Sequence, residues 1–165
     1  MPKRVETQPL FEDCRIIFRN FSGEQSQYNP KGARNFCVIV DDMEVAKAME
    51  ADGWNIKYRQ PLDEGGEETA YIPVAVSFDN VPPTVVLITS RGRTHLDEST
   101  ISTLDYAEIE NVDLILNPYN WEVNGKHGVK AYLKSMYVTI HEDPLARKYA
   151  ETDNRDDYDN TLPWN

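Results

Sequence analysis

Cysteine is nearly absent from this chain of 165 residues. Cys14 and Cys37 are the only two, each inside an apolar run, so a disulfide-stapled scaffold is excluded and buried, reduced thiols are expected. Histidine is as scarce: His95, His127 and His141 are scattered, without a CxxC or a paired-histidine spacing. No metal site and no nucleophile–base pair can be drawn from them, so neither catalysis, nor a cofactor, nor a metal is expected. The acids Asp41, Asp42 and Glu44, which a metal-dependent nuclease could use, read better as helix caps. No apolar run is long enough to span a membrane, and the opening MPKRVETQPLFED lacks the apolar stretch of a secretory signal, so a cytoplasmic protein is expected. Positive charge is also in short supply, with 17 Lys and Arg against 28 Asp and Glu and a net charge of −11. Residues Glu151 to Asn165 carry −4 of this and leave −7 on the rest. A broadly basic nucleic-acid-binding domain is thereby excluded; any such surface must be a local patch.

What the chain does have is one long stretch ordered by a turn. Ile109 to Ile140 reads as two strands joined at Asn124-Gly125, the residue pair best suited to the positive φ angles of a type I′ hairpin. A two-residue turn sets Val123 opposite Lys126, Trp121 opposite Gly128, Tyr119 opposite Lys130, Asn117 opposite Tyr132 and Ile115 opposite Lys134. Opposed residues share a face, so Leu114, Leu116, Val129, Ala131 and Leu133 form a core face. The other face collects Asn117, Tyr119, Trp121, Lys126, Lys130, Tyr132 and Lys134. Rings and ammonium groups interleave there without a carboxylate. Such a face can stack bases and hold phosphates; it can equally be a solvated face whose aromatics shield the ladder.

The rest of the chain reads as short elements. Residues 1–13 form a loose arm, and Cys14 to Phe21 a strand with Ile16 and Phe18 on one side and Arg15, Ile17, Arg19 and Phe21 on the other. Ser22 to Arg34 is a polar loop from which Tyr28, Lys31 and Arg34 could reach a phosphate or base, and Phe36 to Val40 is a short buried strand. Asp41 or Asp42 caps a helix to about Asp52, with Val45 and Met49 inward and Gly53 as its stop. Trp54 to Arg59 alternates Trp54, Ile56 and Tyr58 inward against Lys57 and Arg59 outward. An acidic loop leads to strands at Tyr71 to Phe78 and Thr84 to Thr89, then to the basic turn Ser90-Arg91-Gly92-Arg93, which lacks the pattern of a nucleotide-binding loop. Asp97 caps a second short helix to about Leu104. Short helices among long hairpins, with no βαβ rhythm, imply a mainly β chain: an OB-fold-like antiparallel β-barrel over residues 1–143, followed by an acidic, disordered tail over 144–165.

The hairpin, with RNF at Arg19 to Phe21, NPKGARNF at Asn29 to Phe36, GWNIKY at Gly53 to Tyr58 and PPTVVLITSRGRT at Pro82 to Thr94, resembles a family of bacteriophage single-stranded DNA-binding proteins with an OB-fold. The likeness covers roughly Arg15 to Asp143. It implies coating of single-stranded DNA during replication or recombination, without sequence readout or catalysis, in the cytoplasm of a bacterial host. On that reading Lys126, Lys130 and Lys134, helped by Lys57, Arg59, Arg91 and Arg93, track phosphates, while Tyr119, Trp121 and Tyr132 stack bases. The end of the chain, DNRDDYDNTLPWN, is similar to the acidic tail of bacterial and phage single-stranded DNA-binding proteins. The similarity implies Asp156, Asp157 and Asp159 as the acidic stretch, and Leu162, Pro163 and Trp164 as an end that docks on replication or recombination proteins. Trp164 followed by Asn165 stands where those tails usually end in Phe. The alternative class is a protein-interaction module, an acidic inhibitor or a virion component, that binds no nucleic acid. Net charge favours it; the lysine–aromatic face disfavours it. Oligomeric state, a homo-oligomer included, stays open.

Overall fold

The computed structural model describes residues 4–27, 29–61, 64–79, 81–142 and 145, and within these described residues alternation and turn chemistry give nine strands, one α-helix and one 3-10 turn. The strands are β1 (Leu10–Cys14), β2 (Ile16–Asn20), β3 (Arg34–Val40), β4 (Lys57–Arg59), β5 (Thr69–Val76), β6 (Thr84–Thr89), β7 (Gly92–Leu96), β8 (Ile109–Val123) and β9 (Lys126–Ile140). Helix α1 spans Met43–Asp52, and the 3-10 turn Ile101–Asp105.

The β8–β9 hairpin dominates. Asn124 (φ 53°) and Gly125 (φ 81°) take the left-handed conformations of a type I′ turn, and the pairs Val123–Lys126, Trp121–Gly128, Tyr119–Lys130 and Asn117–Tyr132 form as expected. The pairing expected for Ile115 fails. Ile115 faces Ser135 while Leu116 faces Leu133, so Lys134 is the extra residue of a β-bulge. The bulge carries the buried side from Leu133 over to Met136 and Val138, keeping one face of β9 in the core. All five expected core residues of the hairpin are buried, and Leu116, Leu114 and Met136 are sealed almost completely. Each such side chain contributes about 1.5–3 kcal/mol of hydrophobic stabilisation.

The mainly β, OB-like class anticipated from the sequence holds, but the sheet is mixed rather than antiparallel. Its path runs β1-β8-β9-β5-β3-β2, with β5 and β6 both parallel to β9. The hydrogen-bonded ladder does not close into a barrel. Its two ends are nevertheless one bent segment, because β1 pairs β8, β2 pairs β3, and only Arg15 separates them. The single strand expected over Cys14 to Phe21 is thus split there, with Ile39 N–H donating to Arg15 O at 2.9 Å.

Residues 4–13, expected as a loose arm, instead lie along β8. Val5 and the Asn120 amide exchange two hydrogen bonds of 2.8 Å, Leu116 N–H donates to Pro9 O, and β1 follows. Asp42 caps α1 by accepting from Glu44 N–H, and Gly53 (φ 110°) ends it. The helix buries Ala46 and Met49, not the expected Val45, which stays exposed. The second helix is only a 3-10 turn; Asp97 still caps its approach, accepting from Ser99 and Thr100 N–H, and its carboxyl is held below the usual range by hydrogen bonds from those two side chains. The chain elements expected at the C-terminus, including Asp156, Asp157, Asp159, Leu162, Pro163 and Trp164, lie outside the described residues.

Candidate nucleic-acid interface

Register alone assembles one broad outer face. Tyr119 lies opposite Lys130, Trp121 opposite Gly128 and Asn117 opposite Tyr132; Tyr132 in turn faces Ala75 of β5, and Ala75 faces Asn35 of β3. Further along β5, Pro73 faces Cys37, and Tyr71 lies between Ile39 of β3 and Lys57 of β4. Pro73, with no N–H to donate, sits where the partner of β5 changes from β4 to β9. The reverse side of the same strands carries Leu116, Ala131, Ile72, Val74, Phe36 and Val38, all core. None of these outer positions is a carboxylate.

The rings on this face are incompletely covered. Tyr119 is 56% exposed and meets Tyr132 edge-on, centroids 6.0 Å apart, while Lys130 Nζ lies 5.1 Å from the Tyr132 ring centre. Trp121 lies across Gly128: a Cβ on that glycine would stand 2.7 Å from Trp121 Cζ2 and 2.9 Å from Cε2. Beside them opens a cleft of about 620 Å³ lined by Asn35, Asn55, Pro73, Ala75, Trp121 and Lys130. Cys37, on the same face, is half-buried; burial pushes its thiol up to about 11 against the opposing pull of the Lys57 charge, so it is neutral at physiological pH. Cys14 is buried on the far side, its thiol donating to Val112 O and raised to about 12, mainly by burial.

The expected site residues divide into groups. Tyr119, Trp121, Lys130 and Tyr132 come together, with Lys126 exposed at the hairpin tip opposite Val123. Lys57 and Arg59 join the same face from β4. Among the described residues, no ion pair engages Lys57, Arg59, Lys126 or Lys130. Lys134 sits in the bulge with its Nζ donating to Gln8 Oε1 at 2.7 Å. Arg91 and Arg93 stand apart, in the β6–β7 hairpin: Arg93 faces Ile88, which faces Thr139, roughly 20 Å along β9 from Tyr132. The carboxylate of Glu142 accepts from Ser90 at that turn. Of the loop candidates, Lys31 is exposed, Arg34 is engaged by Glu98 and Phe78, and Tyr28 lies outside the described residues.

Three residues of the face were not anticipated: Asn55, Tyr71 and Phe18. Tyr71 had a signal, since the inward alternation of Ile72, Val74 and Val76 leaves it outward. Phe18 had none, because it takes φ 54°, which a bulky residue rarely adopts and which turns its ring away from the side that alternation assigns.

A strand-built face of unshielded rings and unpaired cations over an OB-like core is a kind of surface that can stack bases and hold phosphates. The family model "Putative phage ssDNA-binding domain" matches residues 2–161, and the chain belongs to that family. No curated protein sequence matches it. Among solved structures, the chain is similar to the single-stranded DNA-binding protein from bacteriophage Enc34 in complex with ssDNA, with 12% identity, a TM-score of 0.55, and 86% of this chain and 95% of that one covered. A C-terminal truncation of the same phage protein matches with 13% identity, a TM-score of 0.53, and 82% and 86% covered. At such identities the likeness is one of fold.

Proposed function

We propose that the protein binds single-stranded DNA on this face, without sequence readout, in a phage replication or recombination system. The observation that carries the reading is the carboxylate-free stretch of sheet face on which Tyr119, Trp121 and Tyr132 are interleaved with Lys130 and flanked by Lys57, Arg59 and Lys126. Family membership and the ssDNA complex of the Enc34 protein support it. Every base has a π-face, so stacking on these rings is indifferent to sequence and contributes about 1–3 kcal/mol per base, while the cations take the phosphates. Arg91 and Arg93 would meet only a strand that continues along β9, and Lys134 would have to leave Gln8. The tail, through Leu162, Pro163 and Trp164 behind its acids, would recruit replication or recombination proteins.

Titration with oligo-dT, followed by tryptophan fluorescence, tests the reading. Quenching is expected, with log affinity falling against log salt at about −0.7 per phosphate neutralised, weak response to a duplex of equal length, and roughly tenfold weaker binding by Trp121→Ala. Absence of any response at low salt, in the tail-deleted protein as well, would sink it and leave a protein-binding module.

A further inference from the structure

Phe18 is held in a conformation that serves no need of the core. Its ring is 58% exposed, and its positive φ lies in the middle of β2, where the ladder to β3 slips between Ile17 and Asn20. Anchors on the residues that follow pin this geometry. Arg19 donates to Leu104 O at 2.7 Å and Ala107 O at 2.8 Å. Asp105 accepts from Phe21 N–H at 2.7 Å and Ser22 N–H at 3.0 Å, and Phe21 is sealed against Phe36. A backbone strained and over-determined in this way re-aims a side chain. Here the ring is aimed across β3 onto the outer face, where it meets Tyr71 edge-on at 5.9 Å and the Arg59 guanidinium at 6.0 Å from its centre.

From this geometry, and resting on the reading above, we infer that Phe18, Tyr71 and Arg59 form a second base-stacking station, separate from the Trp121–Tyr119–Tyr132 platform. The exposure of Phe18 leaves a ring face open, and the Arg59 guanidinium over the ring supplies a phosphate contact. Tyr71 lies next to Lys57 of β4, and the β4 segment stands between β5 and the hairpin, as the Trp54–Val129 bridge and the Lys57–Tyr71 pair establish. The two stations are therefore about three strand spacings apart, roughly 15 Å, with Lys57 and Asn55 between them. A bound strand crosses the sheet, stacked at both ends and held by cations in the middle. A short oligonucleotide occupies only the larger hairpin platform.

The test compares labelled oligo-dT of about 4 and about 15 residues, the range of single-domain site sizes, by fluorescence anisotropy on the full-length protein. Phe18→Gly keeps the backbone conformation, because glycine adopts positive φ freely, and Phe18→Leu keeps apolar bulk without a ring. Both are expected to bind the long oligonucleotide about tenfold more weakly and the short one as well as the wild type does, whereas Trp121→Ala weakens both. Circular dichroism melts separate lost contact from lost fold; should both Phe18 variants fail to fold, Tyr71→Leu, which removes the ring packed edge-on against Phe18, reads the same station and should show the same length dependence. Equal loss at both lengths would merge Phe18 with the Trp121 platform, and unchanged affinity at both would remove it from the DNA path; either overturns the second station. Failure of the wild type to bind either length overturns instead the proposed function itself.

Discussion

Trp121 owes its position to an atom that is missing. Gly128 is directly opposite, and the indole occupies the space where a side chain would begin. Gly128→Ala is therefore expected to lift the ring, weakening oligo-dT binding by about tenfold in a fluorescence titration while the melting temperature stays close to that of the wild type. An unchanged affinity would mean that the ring's place over Gly128 is irrelevant to binding. This pair was legible in the sequence, because a two-residue turn at Asn124-Gly125 leaves only one residue to face Trp121. Phe18 was not legible: its φ is imposed by anchors on residues 104–107, more than eighty positions away, and no local pattern of RIIFRNF encodes it.

At the level of elements, the N-terminal segment shows how polar residues can organise a strand edge. Asn120 presents one amide to both backbone groups of Val5, satisfying a donor and an acceptor that the N-terminal segment would otherwise leave to water. Asn120→Ala is expected to cost about 1–3 kcal/mol, read as a lowered urea midpoint with an unchanged slope; a midpoint equal to that of the wild type would make the clamp ornamental. In sequence Asn120 is one more polar residue in a strand, so the arm looked loose. The bulge at Lys134 is silent for a similar reason, since any residue can be the extra one. The parallel pairings of β5 and β6 with β9 escape detection because hairpins and turns, not a βαβ crossover, lie between the partners. Elements whose geometry is dictated by their own residues, namely the hairpin turn, the Asp42 cap and the Gly53 stop, were readable.

Over the whole molecule, a net charge of −11 coexists with a face of unpaired cations because the acids are placed elsewhere. Asp13, Asp41 and Asp113 gather around Cys14, toward the far end of β8 from Trp121, and Glu50 and Glu68 around Tyr58. A further −4 comes from residues 151–165. Removing that segment is expected to tighten oligo-dT binding at low salt and to make little difference at high salt, where the Debye length shrinks to a few ångström; equal affinities at low salt would exclude the tail from the DNA equilibrium. The bent first strand has a consequence for synthesis. Leu10 pairs with Ile115, and Val74 with Ala131, so β1 and one edge of β5 have no partner until the closing hairpin is made, although β2, β3, β4 and β5 already pair among themselves. The outer face draws on Phe18, Lys57, Tyr71 and the hairpin alike, so it is complete only once the hairpin has joined the earlier strands. A chain terminated before the hairpin would carry the Phe18–Tyr71–Arg59 end of this face and lack its Trp121 end.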